Sequence, residues 1–244
     1  MTFLADFAAP VSTRFAELRK HATVVALAIA ASASLWAAEP LPVSEAEKQT
    51  FMANQLRNVE PGAVLNYAFR KTGSLEQGYD DKVVLSVKSA ASGHGKIVGA
   101  EFLTGEHRVE LPEVGDVQGN PVILYFLERD VREMQRITKG KSGYYRKRVR
   151  LAFAEAANIR PVRFTYSGRE IAGNEISIEP YRDDPARSRF ERFANKTYVI
   201  TLSDQVPGGV YSLRTTMREK PDAPDPANKP MLEETLTLTA PGSK

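Results

Sequence analysis

Between residues 63 and 238 apolar side chains recur at every second position in run after run, and the pattern breaks once, between residues 120 and 157. Leu65, Tyr67 and Phe69 alternate with their neighbours, as do Val83, Leu85 and Val87; Ile97 to Leu103 and Arg108 to Leu111 read as two further short strands. The alternation resumes with Val162, Phe164 and Tyr166, then Ile176 and Ile178, then Tyr198, Ile200 and Leu202, then Val210 to Met217 and Leu232 to Leu238. Successive side chains of a strand point to opposite faces, so a period of two marks strands with one buried face. Gly-rich turns such as Ser92-Gly93-His94-Gly95 and Ser167-Gly168 join neighbouring runs. Connections that short permit antiparallel pairing and exclude parallel crossovers. Residues 63–111 and 161–238 therefore predict two antiparallel meanders.

The interruption reads as a helical hairpin. Asn120-Pro121 is a helix start, with Asn as cap and Pro at the first helical position. Val122 to Leu127 is apolar on every side, so that end should be buried. From Glu128 the segment becomes amphipathic, with Val131, Met134 and Ile137 inward and Arg129, Arg132, Glu133 and Arg136 outward, until Lys139-Gly140 ends it. A second helix runs from about Ser142 to Ala157, with Tyr145, Val149, Ala152, Phe153 and Ala156 as its inner face. Ahead of the first meander, Ser44-Glu45-Ala46-Glu47 forms a capping box for a helix reaching about Val59, anchored by Phe51 and Leu56. The expected class is α+β: mostly antiparallel sheet in two meanders, with the hairpin 120–157 packed on it, in a single domain spanning 39–244. Lys220 to Pro230 carries four prolines and reads as a loop.

Two resemblances follow. The order helix, meander, helical hairpin, meander resembles the curved half-barrel of periplasmic lipoprotein carriers, a likeness of architecture that transfers no individual residue. The stretch from Tyr198 through Pro207-Gly208-Gly209 to Tyr211 is similar to the corner joining the sheets of immunoglobulin-like sandwiches, where a tyrosine hydroxyl bonds back to the backbone. It implies an alternative in which the C-terminal half is such a sandwich, although the Cys and Trp landmarks of that fold are missing here.

The N-terminus constrains location. Arg14, Arg19 and Lys20 precede an apolar and small-residue run, Ala22 to Ala38, which is followed by Glu39-Pro40. Basic, apolar and small-residue regions in that order describe a secretory signal peptide over 1–38, cut after Ala37 or Ala38. An uncleaved 22–38 segment serving as an inner-membrane anchor is the alternative, but the run is short of about 20 strongly apolar residues and diluted with Ala and Ser. The chain has no cysteine. Disulfides, thiolate catalysis and cysteine metal sites are thereby excluded, and so is a lipid anchor, which needs a cysteine at the cut site. An exported domain of this size without disulfides points to a bacterial periplasm. Loss of the leader takes Arg14, Arg19 and Lys20 against Asp6 and Glu17, so the formal charge falls from +3 to +2. Near balance supplies no field for nucleic acid.

No motif specifies chemistry: there is no Gly-x-Ser-x-Gly elbow and no phosphate-binding glycine loop. No catalytic residue, cofactor or metal site is predicted; His94 and His107 are 13 positions apart and read as turn residues. Asp80-Asp81, Asp183-Asp184 and Glu233-Glu234 offer carboxylates, and a hydrolase built on dispersed carboxylates is the enzymatic alternative. The expected function is non-enzymatic, a binding or envelope accessory protein. An all-round apolar start to the first long helix suggests a carrier variant, with an acyl or lipid ligand between Leu65, Tyr67 and Phe69 of the sheet and Ile123, Phe126 and Leu127 of the helix. Arg146, Lys147 and Arg150 share the outer side of the second helix and form a candidate surface for an anion or an acidic partner.

Overall fold

In a computed structural model the chain is described over residues 42–90, 95–220 and 229–240. The expected leader, His94 and most of the proline-rich loop lie outside the described residues. Everything below concerns the unit that begins at Ser44.

The alternating runs become strands β1 (Val64–Thr72), β2 (Tyr79–Ser89), β3 (Lys96–Phe102), β4 (Val109–Glu110), β5 (Asn158–Tyr166), β6 (Arg169–Ile178), β7 (Lys196–Leu202), β8 (Val210–Met217) and β9 (Leu232–Leu238). All nine belong to one antiparallel sheet in the order β4-β3-β2-β1-β9-β8-β7-β6-β5. With helices packed on that sheet, the class is α+β. The two meanders exist, but the last strand lies between them. Leu236 of β9 faces Phe69 of β1 on one side and Leu213 of β8 on the other. One continuous sheet overturns the alternative of a C-terminal sandwich. Tyr211 does bond to the backbone, its hydroxyl donating to the Thr165 carbonyl at 3.2 Å. Its ring stacks on Phe164 at 4.0 Å. That contact ties the β5–β6 hairpin to β8 and builds no second sheet.

Burial alternates along the strands as the sequence demands. Leu65, Tyr67 and Phe69, then Val83, Leu85 and Val87, then Tyr198 and Ile200 are all buried. They share the face covered by two helices, α2 (Val122–Thr138) and α3 (Ser142–Glu155). Asn120 organises the start of α2: its Oδ1 accepts from the Val122 N–H at 3.1 Å. Its Nδ2 donates to the Tyr67 hydroxyl and the Gly208 carbonyl, both at 2.9 Å. At the other end of α2 the left-handed residue is Lys139, with φ 59°, instead of a glycine. Gly140 is held one place later because a Cβ there would collide with the Tyr145 ring.

The N-terminal helix is shorter than its sequence predicts. Its capping box forms as expected: the Glu47 N–H donates to Ser44 Oγ at 3.1 Å, and the Ser44 N–H donates to Glu47 Oε2 at 2.9 Å. Only Glu45–Glu47 (α1) is α-helical; a wider π turn covers Lys48–Met52 and a 3-10 turn Gln55–Asn58. Gln55 explains the break. Its amide donates to the Gln49 and Thr50 carbonyls at 2.9 and 3.2 Å, acceptors that a continuing α-helix would need for the next turn. Leu56 is still fully buried, and Phe51 packs edge-on against Phe153 at 5.0 Å.

Candidate functional site

The layer between α2 and the sheet has two chemically distinct halves. In its first half, Val122, Ile123, Phe126 and Leu127 are each no more than 3% exposed. The six residues expected to hold an acyl ligand all lie here, with Leu65, Tyr67, Phe69, Ile123, Phe126 and Leu127 between 1% and 5% exposed. Burial pushes the Tyr67 hydroxyl well above the usual phenol range, so it stays a neutral partner of Asn120.

The second half is ionic. Asp130 and Lys196 are each 1% exposed at the side chain, with Nζ 2.5 Å from Oδ1. The other Asp130 oxygen accepts from the Tyr198 hydroxyl at 2.5 Å, and that hydroxyl lies 3.2 Å from the Tyr181 hydroxyl. Alongside, Arg129 donates to the fully buried Glu234 at 2.5 Å and its guanidinium lies 4.9 Å from the centre of the Phe69 ring. Lys71 donates to Glu76 at 2.8 Å and to Glu133 at 3.1 Å, and Arg136 pairs with both of those carboxylates. Arg129 and Glu133 therefore face the sheet, not solvent. An outward face is where charge costs least, but these two meet in-phase strand charges from Lys71 and Glu234, and mutual pairing offsets their desolvation.

Lys71 and Lys196 are not among the expected site residues, and Glu234 is there only as one of several carboxylates, yet their signal is in the sequence. Lys71 continues the series Leu65, Tyr67, Phe69; Lys196 precedes Tyr198 and Ile200 in phase; Glu234 stands between Leu232 and Leu236. A charge in phase with buried neighbours must find a counter-charge on whatever covers that face.

This seam titrates in a defined direction. Burial alone would raise the Glu133 carboxyl, but Arg136 and Lys71 hold it down to about 2. A depressed carboxylate contributes stability that is present above its unfolded pKa near 4.3 and is lost as pH falls through the folded value. Asp130 works in the opposite sense, since burial raises it against Lys196 and Tyr198. Glu133→Gln should accordingly shrink the stability difference between pH 5 and pH 2 by about 2–3 kcal/mol. Urea titrations at the two pH values measure it, and parallel pH profiles for the two proteins would contradict the assignment.

Beyond the start of α2, the chain leaves a groove of about 460 Å³ at the beginning of β1 and the end of β9. Val59, Val64, Leu65, Tyr166, Pro207 and Leu238 supply its apolar lining, and Asn58, Glu60, Asn66 and Thr239 its polar edge. Leu65 is the member shared with the expected ligand set. Val64, on the opposite side of the same strand, is 51% exposed. The Pro207-Gly208-Gly209 turn can lie against Leu65 and Gln55 because both glycines have positive φ and no side chain. The volume falls within the roughly 300–1,000 Å³ typical of small-molecule sites.

The remaining candidates are placed as follows. Arg146 is committed to Glu128 through two hydrogen bonds at 2.9 and 3.0 Å, so only Lys147 of the expected anion set is exposed; Arg150 is half-buried. Among the carboxylate pairs, Asp80 accepts from Arg70, Asp81 from Thr104, Asp184 from Tyr144, Glu233 from Thr216 and Glu234 from Arg129. Each of these carboxylates has a structural partner. His107 stacks on Tyr79 at 3.9 Å.

No family model and no curated protein matches this sequence. Among the solved structures that align with it, three do so as follows. The lipoprotein LppX of Mycobacterium tuberculosis shares 8% identity over 80% of this chain and 91% of its own, at TM-score 0.32. LprF of Mycobacterium bovis shares 11% over 83% and 97%, at 0.26. A LolA superfamily protein of Nitrosomonas europaea shares 11% over 80% and 91%, at 0.21. Scores this low establish neither a common fold nor a common ligand.

Proposed function

We propose that this protein is a non-enzymatic binding protein of the bacterial envelope, exported by its leader, and that it takes up an apolar chain such as an acyl group. The observation that carries the reading is the groove bounded by Val59, Val64, Leu65, Pro207 and Leu238. Apolar walls with a polar edge suit a ligand with a hydrocarbon body and a hydrophilic end. Leu65 is common to the groove and to the buried set that continues with Tyr67, Phe69, Ile123, Phe126 and Leu127, so an acyl chain entering the groove meets that set at Leu65. Asn120 at the start of α2 bonds to both Tyr67 and Gly208, which ties β1 to the turn that carries Pro207. Among the described residues no helix is long and apolar enough to cross a membrane.

A dansylated undecanoic acid titrated into the full chain tests this. Saturable binding is expected, and Val64→Asp should weaken it about tenfold, because a carboxylate that the ligand must desolvate replaces about 1 kcal/mol of apolar burial. Val64 is half exposed, so the substitution leaves the fold intact. Absence of saturable binding, or the same affinity in the variant, would dispose of the reading.

A further inference from the structure

Residues 139–150 contain six Lys or Arg and no Asp or Glu. The structure divides them by role. Arg146 and Arg148 are neutralised internally, by Glu128 and by Asp184 at 2.9 Å. Lys139, Lys141 and Lys147 are exposed, and among the described residues none of them has a carboxylate within ion-pairing distance. A second basic segment is pinned to the same end of α3. Tyr144 and Tyr145 pack edge-on against Phe190, at 6.5 and 5.7 Å between ring centres. Phe190 sits between the 3-10 turns Arg187–Arg189 and Glu191–Phe193, so Arg189 and Arg192 flank it, both exposed and likewise without a carboxylate partner among the described residues. Two separate stretches of chain, joined through Tyr144, Tyr145 and Phe190, thus bring Lys139, Lys141, Lys147, Arg189 and Arg192 to one end of α3, with Glu191 the exposed acid between the two arginines.

We infer that this face docks the protein on an anionic lipid surface, independently of whatever occupies the groove. Charges buried in the α2–sheet layer are paired almost one for one, whereas these five are left facing water. Three of the five are lysines, whose flexible point charges suit a fluid array of headgroups better than the fixed geometry of an acidic peptide. Among the described residues the large exposed apolar side chains, Met52 and Val64, lie elsewhere in the sequence, on the N-terminal turns and β1. Attachment by this face is therefore electrostatic, without insertion, and is sensitive to salt. Near an anionic leaflet each such cation adds about fivefold to the partition coefficient.

The test is co-sedimentation of the full chain with phosphatidylcholine vesicles containing or lacking phosphatidylglycerol, at low and high sodium chloride. Wild type should bind the anionic vesicles and release them in high salt. The triple variant Lys141→Glu, Lys147→Glu, Arg189→Glu should lose about a hundredfold or more, at fivefold per lost cation before any added repulsion. Arg160→Glu, Arg163→Glu, Arg169→Glu on the β5–β6 hairpin makes the same change in net charge and should retain binding within about threefold. The leader is identical in all three proteins and cancels in the comparison. Equal loss in both variants would mean that net charge alone acts, and equal binding to neutral vesicles would remove the electrostatic basis; either result overturns the inference. So does capture by soluble polyglutamate without binding to anionic vesicles, which would assign the face to an acidic protein instead.

Discussion

Lys196→Met should lower the unfolding free energy by about 3–5 kcal/mol, the usual cost of breaking a buried ion pair from one side. Asp130 would remain 1% exposed with its nearest cation gone and only the Tyr198 hydroxyl to satisfy it. A carboxylate so placed protonates more readily, so the variant should recover stability as pH is lowered from 7 toward 5. The sign follows from the raised folded pKa: the folded state binds the proton more tightly than the unfolded state, and acid favours folding. The double variant Lys196→Met, Asp130→Leu removes both charges and should regain most of the loss, because paired burial of charge is weakly stabilising at best. Urea unfolding of the three proteins at pH 7 decides the matter. A single-variant effect below about 1 kcal/mol would mean that Asp130 is solvated in solution.

The second large effect concerns β9. Its Leu232–Leu238 segment forms ladders with β1 on one side and β8 on the other. Among the described residues it is the only strand that joins residues 64–110 to residues 158–217 within the sheet. A chain ending at Met231 should therefore show no cooperative thermal transition, since two new sheet edges and the apolar faces of Phe69 and Leu213 would be opened together. Leu236→Ala gives the graded version. Leu236 is 0% exposed, and its truncation should cost about 2–5 kcal/mol without changing the fold. A truncated chain that melts cooperatively within about 5 °C of the full protein would show that the two halves fold separately.

The strands were legible in the sequence almost residue by residue. Tyr67 and Leu85 announce their burial by phase alone, because strand geometry sends alternate side chains to the same face whatever lies opposite. The start of α2 was legible to within one residue: the helix begins at Val122, just after Pro121, and the Asn120 Oδ1 accepts from the Val122 N–H two positions on. The N-terminal helix is shorter than its local sequence indicates because the group that ends it, the Gln55 amide, is held in place by Asn120, whose N–H donates to Gln55 Oε1 at 2.7 Å from 65 residues away. Arg129 and Glu133 face inward for a related reason. Helical phase marks them as polar, but only the presence of Lys71 and Glu234 on the facing strands makes the inner side the better location for them.

The elements follow from the sequence: nine strands, two long helices, and a basic run without acids in a cysteine-free chain. These depend on periodicity, capping and composition, which act over a few residues. The tertiary structure alone decided that β9 closes the gap between the two meanders, that the α2–sheet layer is apolar at one end and ionic at the other, and that the groove opens beside Leu65. Each of those choices is a pairing between groups far apart in the chain, and hydrogen-bond ladders, ion pairs and packed walls acquire their energy only once both partners have been brought together.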